Sequence, residues 1–524
     1  MDPVSLQVTI GALRAACEEM GAALIRSAYS ANIKERHDCS TAIFDAGGEL
    51  VMQAEHIPVH LGSMPDAVAA VIDLEQEPGA SWVLNDPYRG GTHLPDITLI
   101  SPVFAADELI GFAACRAHHA DVGGPTPGSM PAGSTRLEDE GVVIPPTRTS
   151  PAVLRDLTAR MRFPHQRLAD LRAQEAANRI GAQRLAELAE RHGREQLGVA
   201  MAEILAYAER RTRKALASLP DGVYRARDVL EVDFASGGPL PRITGERTTG
   251  TDSGGKDVVL RVEVTIRGDH LTLDFSGTDT QIEGNLNCPL SVTKSAAFFA
   301  VRVLTDPDAP PCAGAYRPIA VKAPEGSLLN ARFPAAVAAG NVETSSRVAD
   351  LVIAALAGAR PVPAQGQGTM NNLTLANEEF TYYETLGGGQ GACPDADGPS
   401  AIHVAMSNTL NTPVEALESE FPLRVRELSL RHGSGGDGEH HGGDGIVREL
   451  EALAPMRFSL IGERRRCRPR GRDGGDDGAP GRNLHNGTPL RGKSEGELAP
   501  GDTLRIETPG GGGLGRPLCR SKDK

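Results

Sequence analysis

The sequence predicts a mixed α/β (α+β) protein of several domains, and three patterns carry that expectation. Apolar positions at Leu6, Val8, Ile10, Leu13, Cys17, Met20, Leu24 and Ile25 recur at mainly helical spacing, and residues 152 to 217 are rich in Ala, Leu, Arg and Glu with few breakers. From Asp221 the period changes to two in VYRARDVLEVDF, VVLRVEVTIRG and HLTLDFSG, which predicts an antiparallel sheet with one solvated face. Beyond Thr412 apolar runs are punctuated by glycine, the pattern of a small β-rich domain. A chain of 524 residues, 40% of them hydrophobic, is long enough for several cores. We divide it into a metal-site domain (1–150), a helical segment (151–219), a mixed domain (220–411) and a β-rich C-terminal domain (412–524).

In order, residues 5 to 28 form an amphipathic helix, and 40 to 53 a short hairpin turning at Asp45 to Gly48. Ser63 or Pro65 opens a helix running to about Leu74. Thr98 to Phe104 and Leu109 to Ala117 are strands joined by a polar turn at Asp107 and Glu108. Residues 125 to 150 hold too many Pro, Gly and Ser for a regular element and read as an ordered loop leading to a short strand. Three helices follow, on which Asn178 and Arg179 face a neighbour without a compelled catalytic role. Helices are also expected over 284–305 and 343–358. Around the start of the second, Gly340, Asn341, Glu343, Thr344 and Ser345 offer backbone amides, for which capping is preferred to an anion site. The glycines of QGQGTMN and YYETLGGGQG bring the backbone close to substrate or to another strand.

The chemistry concentrates at the hairpin of residues 96 to 118. Closing it near Asp107 sets the start of the first strand opposite the end of the second, so His93 and Asp96 come beside His118. Two imidazoles and a carboxylate suit one divalent ion, Zn, Mn or Fe, with coordination positions left open. Gly90, Gly91, Gly123 and Gly124 flank the set. His119 and Asp121 follow His118 directly, and are expected to form its outer shell and to act as the catalytic pair, His119 as acid or base. His56 and His60 could share a face only on a helix, which Pro58 opposes. They are assigned with Arg89, Gly90 and Gly91 to substrate contact. His440 and His441, near Asp437, Glu439 and Asp444, read as a solvated loop rather than a second metal site. GTPLRGKS at 487–494 satisfies the phosphate-loop pattern, but a polar RNLHN precedes it, and Gly496 and Pro500 interrupt any helix after it. No nucleotide site is assigned.

A net charge of −14 and a pI near 5.5 argue against nucleic-acid binding. Eight scattered cysteines without a CxxC pair predict neither a disulfide framework nor a thiolate zinc site, and place the chain in a reducing cytoplasm. No apolar run is long enough to span a membrane, and none is expected to act as an export signal.

The segments ANIKERHDCS, AEHIPVHLGSMPD, NDPYRGGTHLPDITL and RAHHADVGGPTPGSMP resemble the hydantoinase B and 5-oxoprolinase family, which includes the acetone carboxylase alpha subunit; YYETLGGGQGA, SNTLNTPVEALESEFPLRV and IETPGGGG extend the resemblance nearly end to end. The resemblance implies that Asp38, in the NIKERxD segment, is a fourth metal ligand. It implies an A-type partner subunit of sugar-kinase-like fold that spends ATP on phosphorylating a carbonyl oxygen, in an A2B2 assembly. The present chain would then open a small cyclic amide such as hydantoin, 5-oxoproline or another lactam. Alternatives are the alpha-type subunit of an ATP-dependent ketone carboxylase, or a non-catalytic scaffold. The charged ERRRCRPRGRDGGDD departs from the family's more apolar version, so no local structure is assigned to 464–478.

Overall fold

A computed structural model describes residues 2–55, 57–232 and 257–517, apart from the side chain at position 55. The described residues form a mixed α+β architecture with four sheets among them. The first is antiparallel and contains β1 (Cys39–Asp45), β2 (Leu50–Glu55), β3 (Trp82–Leu84), β4 (Asp96–Ala105), β5 (Glu108–His118) and β6 (Thr147–Arg148), in the order β2-β1-β5-β4-β3-β6. Both its faces are covered. Leu13, Cys17, Met20 and Leu24 of the helix Pro3–Ser27 pack with Leu171 and Leu185 of the helix Pro164–His192 on Ile43, Ile97, Leu99 and Cys115, while Phe44, Trp82, Ile100 and Phe112 join Val68 on the other side. Each such buried side chain contributes roughly 1.5–3 kcal/mol, which explains why these strands read as apolar runs. The first helix starts where Asp2 accepts from Val4 N and Ser5 N, with Pro3 in its first turn.

Gln174 and Asn178 fix the long helix to β4 by donating to the carbonyls of Ile97 and Leu99. The neighbour expected for Asn178 is therefore the backbone of an interior strand. The second sheet joins Gly222–Leu230, Val258–Arg267 and His270–Asp274 antiparallel, with Ile319–Lys322 added in parallel. Leu260, Val262, Val264 and Ile266 face the helices Leu290–Thr305 and Ser345–Leu356, and the residues between them face outward, as the period of two predicts. The first of these helices begins six residues later than expected. Pro289 restricts the residue before it, and Asn287 is spent on the carbonyls of Ile282, Gly284 and Ala336. The expected short helix ends at Ala69 and continues only as turns.

Asn372–Ala376, Thr381–Glu384, Met456–Ile461 and Lys493–Leu498 make the third sheet, and the fourth holds Leu423–Arg431, Gly445–Ala452, Arg482–His485, Thr488–Leu490 and Thr503–Glu507. The glycines after YYETL meet backbone: a side chain at Gly389 would run into the Gly443 carbonyl and the Gly511 amide. Residues 464 to 467 are held without regular structure. Glu231 accepts from the amides of Arg465, Arg466 and Cys467, and Arg464 reaches Asp350 at 2.8 Å. Lys493 of the phosphate-loop pattern lies in a strand, buried, with Nζ 2.6 Å from Glu463. Among the described residues no helix is long and apolar enough to cross a membrane.

Candidate metal centre

The sheet register builds the site. β5 pairs with β4 so that His118 lies opposite Asp96, and with β1 so that Ala117 lies opposite Cys39, while the His118 amide donates to the Asp38 carbonyl at 3.0 Å. Three adjacent strand ends thus present Asp38, His118 and Asp96 at one edge of the sheet. His93 joins from the turn before β4, whose Asp96 amide donates to the His93 carbonyl.

His93 Nε2, His118 Nδ1 and Asp96 Oδ1 form a nearly equilateral triangle, with separations of 3.2, 3.2 and 3.3 Å. Bonds of about 2.0–2.1 Å from one tetrahedral ion would set such atoms roughly 3.3 Å apart. All three residues are buried, and they are the group of His, Cys, Asp and Glu side chains fit for a metal among the described residues. His93 Nδ1 and His118 Nε2 have no protein partner. The outer hydrogen bonds that usually orient ligating imidazoles are thus not what holds these rings; His118 stacks on Tyr383, with centroids 4.6 Å apart and planes within 10°. Asp96 Oδ2 accepts from Thr92 Oγ1 at 2.6 Å and faces His60 Nε2 at 3.4 Å. Burial would raise this carboxyl's pKa, but the adjoining His93, His118 and His60 hold it well below the usual carboxylate range. The donor set fits a divalent cation.

Beside the triangle lies a cavity of about 20 Å3, space for a water molecule, lined by Asp38, His60, Asp96, His118, Asn341, Met370, Tyr383, Thr385 and Ser407–Thr409 among others. Asp38 borders this cavity and stands outside the triangle. His60, at the end of a short 3-10 turn begun by Pro58, is buried between Ser40 Oγ at 2.9 Å and Asp96. His56 lies outside the described residues.

Other expected site residues fall elsewhere. His119 turns to the opposite face of the sheet end, where Nε2 meets Gln174 Oε1 at 2.9 Å, and burial pushes its pKa down to about 4. It is a neutral group on the helix side, consistent with the two-residue alternation of a strand. The Asp121 carboxylate accepts from Gly123 N, Gly128 N, Ser129 Oγ and Arg162, so it organises the loop of residues 123 to 129 and is not the hydrogen-bond partner of His118. Arg89 is exposed, and side chains at Gly90 and Gly91 would strike the backbone of Asp66 and Asn85. The close approach those two glycines permit is to their own chain. The far cavity wall, Asn341, Tyr383, Thr385 and Ser407 to Thr409, escaped the site assignment although it falls in the YYETL and SNTLNTP segments and next to Gly340.

The fold and site define a multi-domain α+β chain that gathers two histidines and an aspartate from the end of one hairpin. The chain belongs to the hydantoinase B/oxoprolinase family, whose sequence model matches residues 2–517. It is 37% identical to a 5-oxoprolinase of Dictyostelium discoideum over 98% of its length, but spans only 40% of that protein. It is 32% identical to the B-type subunit of a putative D-/L-hydantoinase from a Pseudomonas species, covering 92% of that chain with all of its own. The crystal structure of an ATP-dependent caprolactamase from Pseudomonas jessenii superposes with a TM-score of 0.87 at 29% identity, over 99% of this chain and 92% of that one. An acetone carboxylase structure shares the fold, with a TM-score of 0.85 at 19% identity, over 99% of this chain and 76% of that one.

Proposed function

We propose that this chain is the metal-bearing B-type subunit of an ATP-dependent cyclic-amide hydrolase. The observation that carries the proposal is the buried triangle of His93 Nε2, His118 Nδ1 and Asp96 Oδ1 bordering a water-sized cavity. Those three residues would hold the ion, with Asp38 at the cavity edge as the fourth ligand; imidazole and carboxylate donors suit Zn, Mn or Fe. When bound, such an ion acidifies water and polarises a carbonyl. His60 and Thr92 orient Asp96 through Oδ2, and Tyr383 fixes the plane of the His118 ring. Cyclic amides are the substrate class supported by the relatives, one named a 5-oxoprolinase, one a hydantoinase subunit and one a caprolactamase.

ATP would be used by an A-type partner, with which this chain forms a hetero-oligomer. In keeping with this, the lysine of the one phosphate-loop pattern is buried against Glu463, and the hydantoinase relative is itself a subunit. In the longer 5-oxoprolinase the partner's part would be supplied by the same polypeptide. The test combines elemental analysis with assay. The purified chain should carry about one divalent ion and His93→Ala should lose it, while opening of 5-oxoproline, hydantoin or caprolactam should require ATP and the partner. Full metal content and unchanged activity in His93→Ala would sink the metal assignment. Lactam opening by this chain alone without ATP would sink the division of labour.

A further inference from the structure

The far wall of the cavity contains a continuous hydrogen-bonded chain that begins and ends at the cavity. Ser407 Oγ lies 2.5 Å from His403 Nδ1; His403 Nε2 lies a longer 3.4 Å from Thr409 Oγ1; and Thr409 Oγ1 lies 2.6 Å from Thr385 Oγ1. Ser407 and Thr385, the two ends, both line the cavity beside Asp38, Asp96 and His118. Arg36 Nη2 donates to both threonine oxygens, at 2.6 Å to Thr385 and 2.8 Å to Thr409.

Arginine donates only, which restricts how protons can be arranged along this chain. If Ser407 donates to Nδ1, then Nε2–H donates to Thr409 and Thr409 donates to Thr385. The Thr385 oxygen is then filled by Arg36 and Thr409, so its own proton is left for the cavity while Ser407 offers a lone pair there. Reversing every bond gives the other tautomer of His403, with Ser407 now the donor to the cavity and Thr385 the acceptor. In each arrangement one end gives and the other takes. Burial, and secondarily the Arg36 charge, push the pKa of His403 down to about 3, so the imidazole is neutral and holds a single mobile proton.

We propose that Ser407, His403, Thr409 and Thr385 form a proton relay that takes a proton from the attacking water at Ser407 and returns one at Thr385 to the nitrogen of the opening ring. This rests on the cyclic-amide reading above. On that reading the carbonyl oxygen carries the phosphoryl group from ATP: the water oxygen bonds to the carbonyl carbon, the ring C–N bond breaks with its electron pair kept on nitrogen, the water's second proton goes to solvent, and the acyl phosphate left behind is discharged by a second water to carboxylate and inorganic phosphate. The water's first proton goes to Ser407; Ser407 passes its own to Nδ1, Nε2–H passes to Thr409, Thr409 passes to Thr385, and Thr385 protonates the nitrogen. No net charge is left on the relay, which returns to its starting tautomer by hydroxyl rotation and exchange with water at the cavity mouth, where Asn408 is exposed.

Two measurements test it. In the chain alone, with 15N-labelled histidine and His403→Gln used to assign the signal, His403 should stay neutral from pH 8 to pH 5, and Ser407→Ala and Thr409→Val should shift its tautomer balance in opposite senses. With the partner, ATP and 5-oxoproline, Thr385→Val should lower kcat about 100-fold, the scale of lost acid–base catalysis, with KM and bound metal unchanged and the multi-proton curvature in H2O/D2O mixtures abolished. Thr385→Ser should restore both. A His403 that protonates near pH 6, or a tautomer indifferent to both substitutions, overturns the relay, as does a Thr385→Val enzyme with the parental rate and isotope curvature. If the parent opens none of the lactams, the cyclic-amide reading fails, and the tautomer measurement alone decides whether the relay exists.

Discussion

Replacing Glu343 by Gln should make the protein's stability less dependent on pH, and the size of the change follows from its surroundings. Glu343 is fully buried; Oε1 accepts from Met370 N at 3.2 Å and Asn372 Nδ2 at 2.8 Å, while Oε2 has no partner. Burial, reinforced by the charge of Glu463, raises its pKa from 4.5 to about 7. Below pH 4.5 the carboxyl is protonated in both folded and unfolded chains and costs nothing. Between pH 4.5 and 7 the unfolded chain gives up a proton that the folded one retains, so stability falls as pH rises, by about 3 kcal/mol in full above pH 7. A glutamine amide has the same shape, keeps its oxygen on the two donors and cannot ionise. Its nitrogen, left at the partnerless position, adds a cost that does not vary with pH. The observable is therefore the slope. Urea unfolding of both proteins at pH 5, 6, 7 and 8 should show the variant gaining on the parent by about 2–3 kcal/mol across the series, the first part of the effect being already present at pH 5. A difference independent of pH, or one that moves against the variant, would refute the reasoning that Glu343 is held protonated by burial.

Tyr383→Phe removes the hydroxyl that donates to Asn372 Oδ1 at 2.7 Å but keeps the stack on His118, so stability should drop by about 1 kcal/mol with metal affinity retained. Tyr383→Leu removes the stack as well and should weaken metal binding roughly tenfold; equal affinities in the two variants would show that the stack does not orient the ligand. Lys493→Met should lower stability by about 3–5 kcal/mol by leaving Glu463 short of its 2.6 Å partner, and calorimetry should show no change in ATP binding by the chain. A stable Lys493→Met protein with reduced ATP affinity would revive the phosphate-loop reading.

The hairpin register was legible because it depends on local quantities: two apolar runs, a polar turn at Asp107, and pairing that forces Asp96 opposite His118. The helices over 152 to 217 were legible from composition for the same reason. His119 and Asp121 were misplaced because proximity in sequence to His118 does not imply proximity of side chains. Successive residues at a strand end point to opposite faces, and the carboxylate two positions on was captured by the amides of Gly123 and Gly128. Gly90 and Gly91 carried a true signal of close approach, but sequence cannot say whether the approaching group is substrate or the chain's own backbone. Ser407, His403 and Thr385 are polar residues without periodicity, and only the tertiary fold carries them to within reach of a hairpin roughly 270 to 310 positions earlier.

That long-range assembly has one principal tie. Arg36 lies two residues before Asp38, fully buried, and donates to Asn32 Oδ1, to the carbonyls of Tyr383 and Leu410, and to the hydroxyls of Thr385 and Thr409. All five acceptors are neutral oxygens, so the guanidinium is solvated by the protein in place of water, and losing any one contact exposes a buried charge to a poorer set of partners. The segment carrying Asp38 is thereby bound to both stretches of the far wall. Displacing residues 407 to 410 to admit a ring larger than the water-sized cavity would pull on Arg36, and through it on the strand end that presents Asp38 to the cavity. Opening of the cavity and the position of Asp38, which we propose as the fourth ligand, are therefore coupled through Arg36.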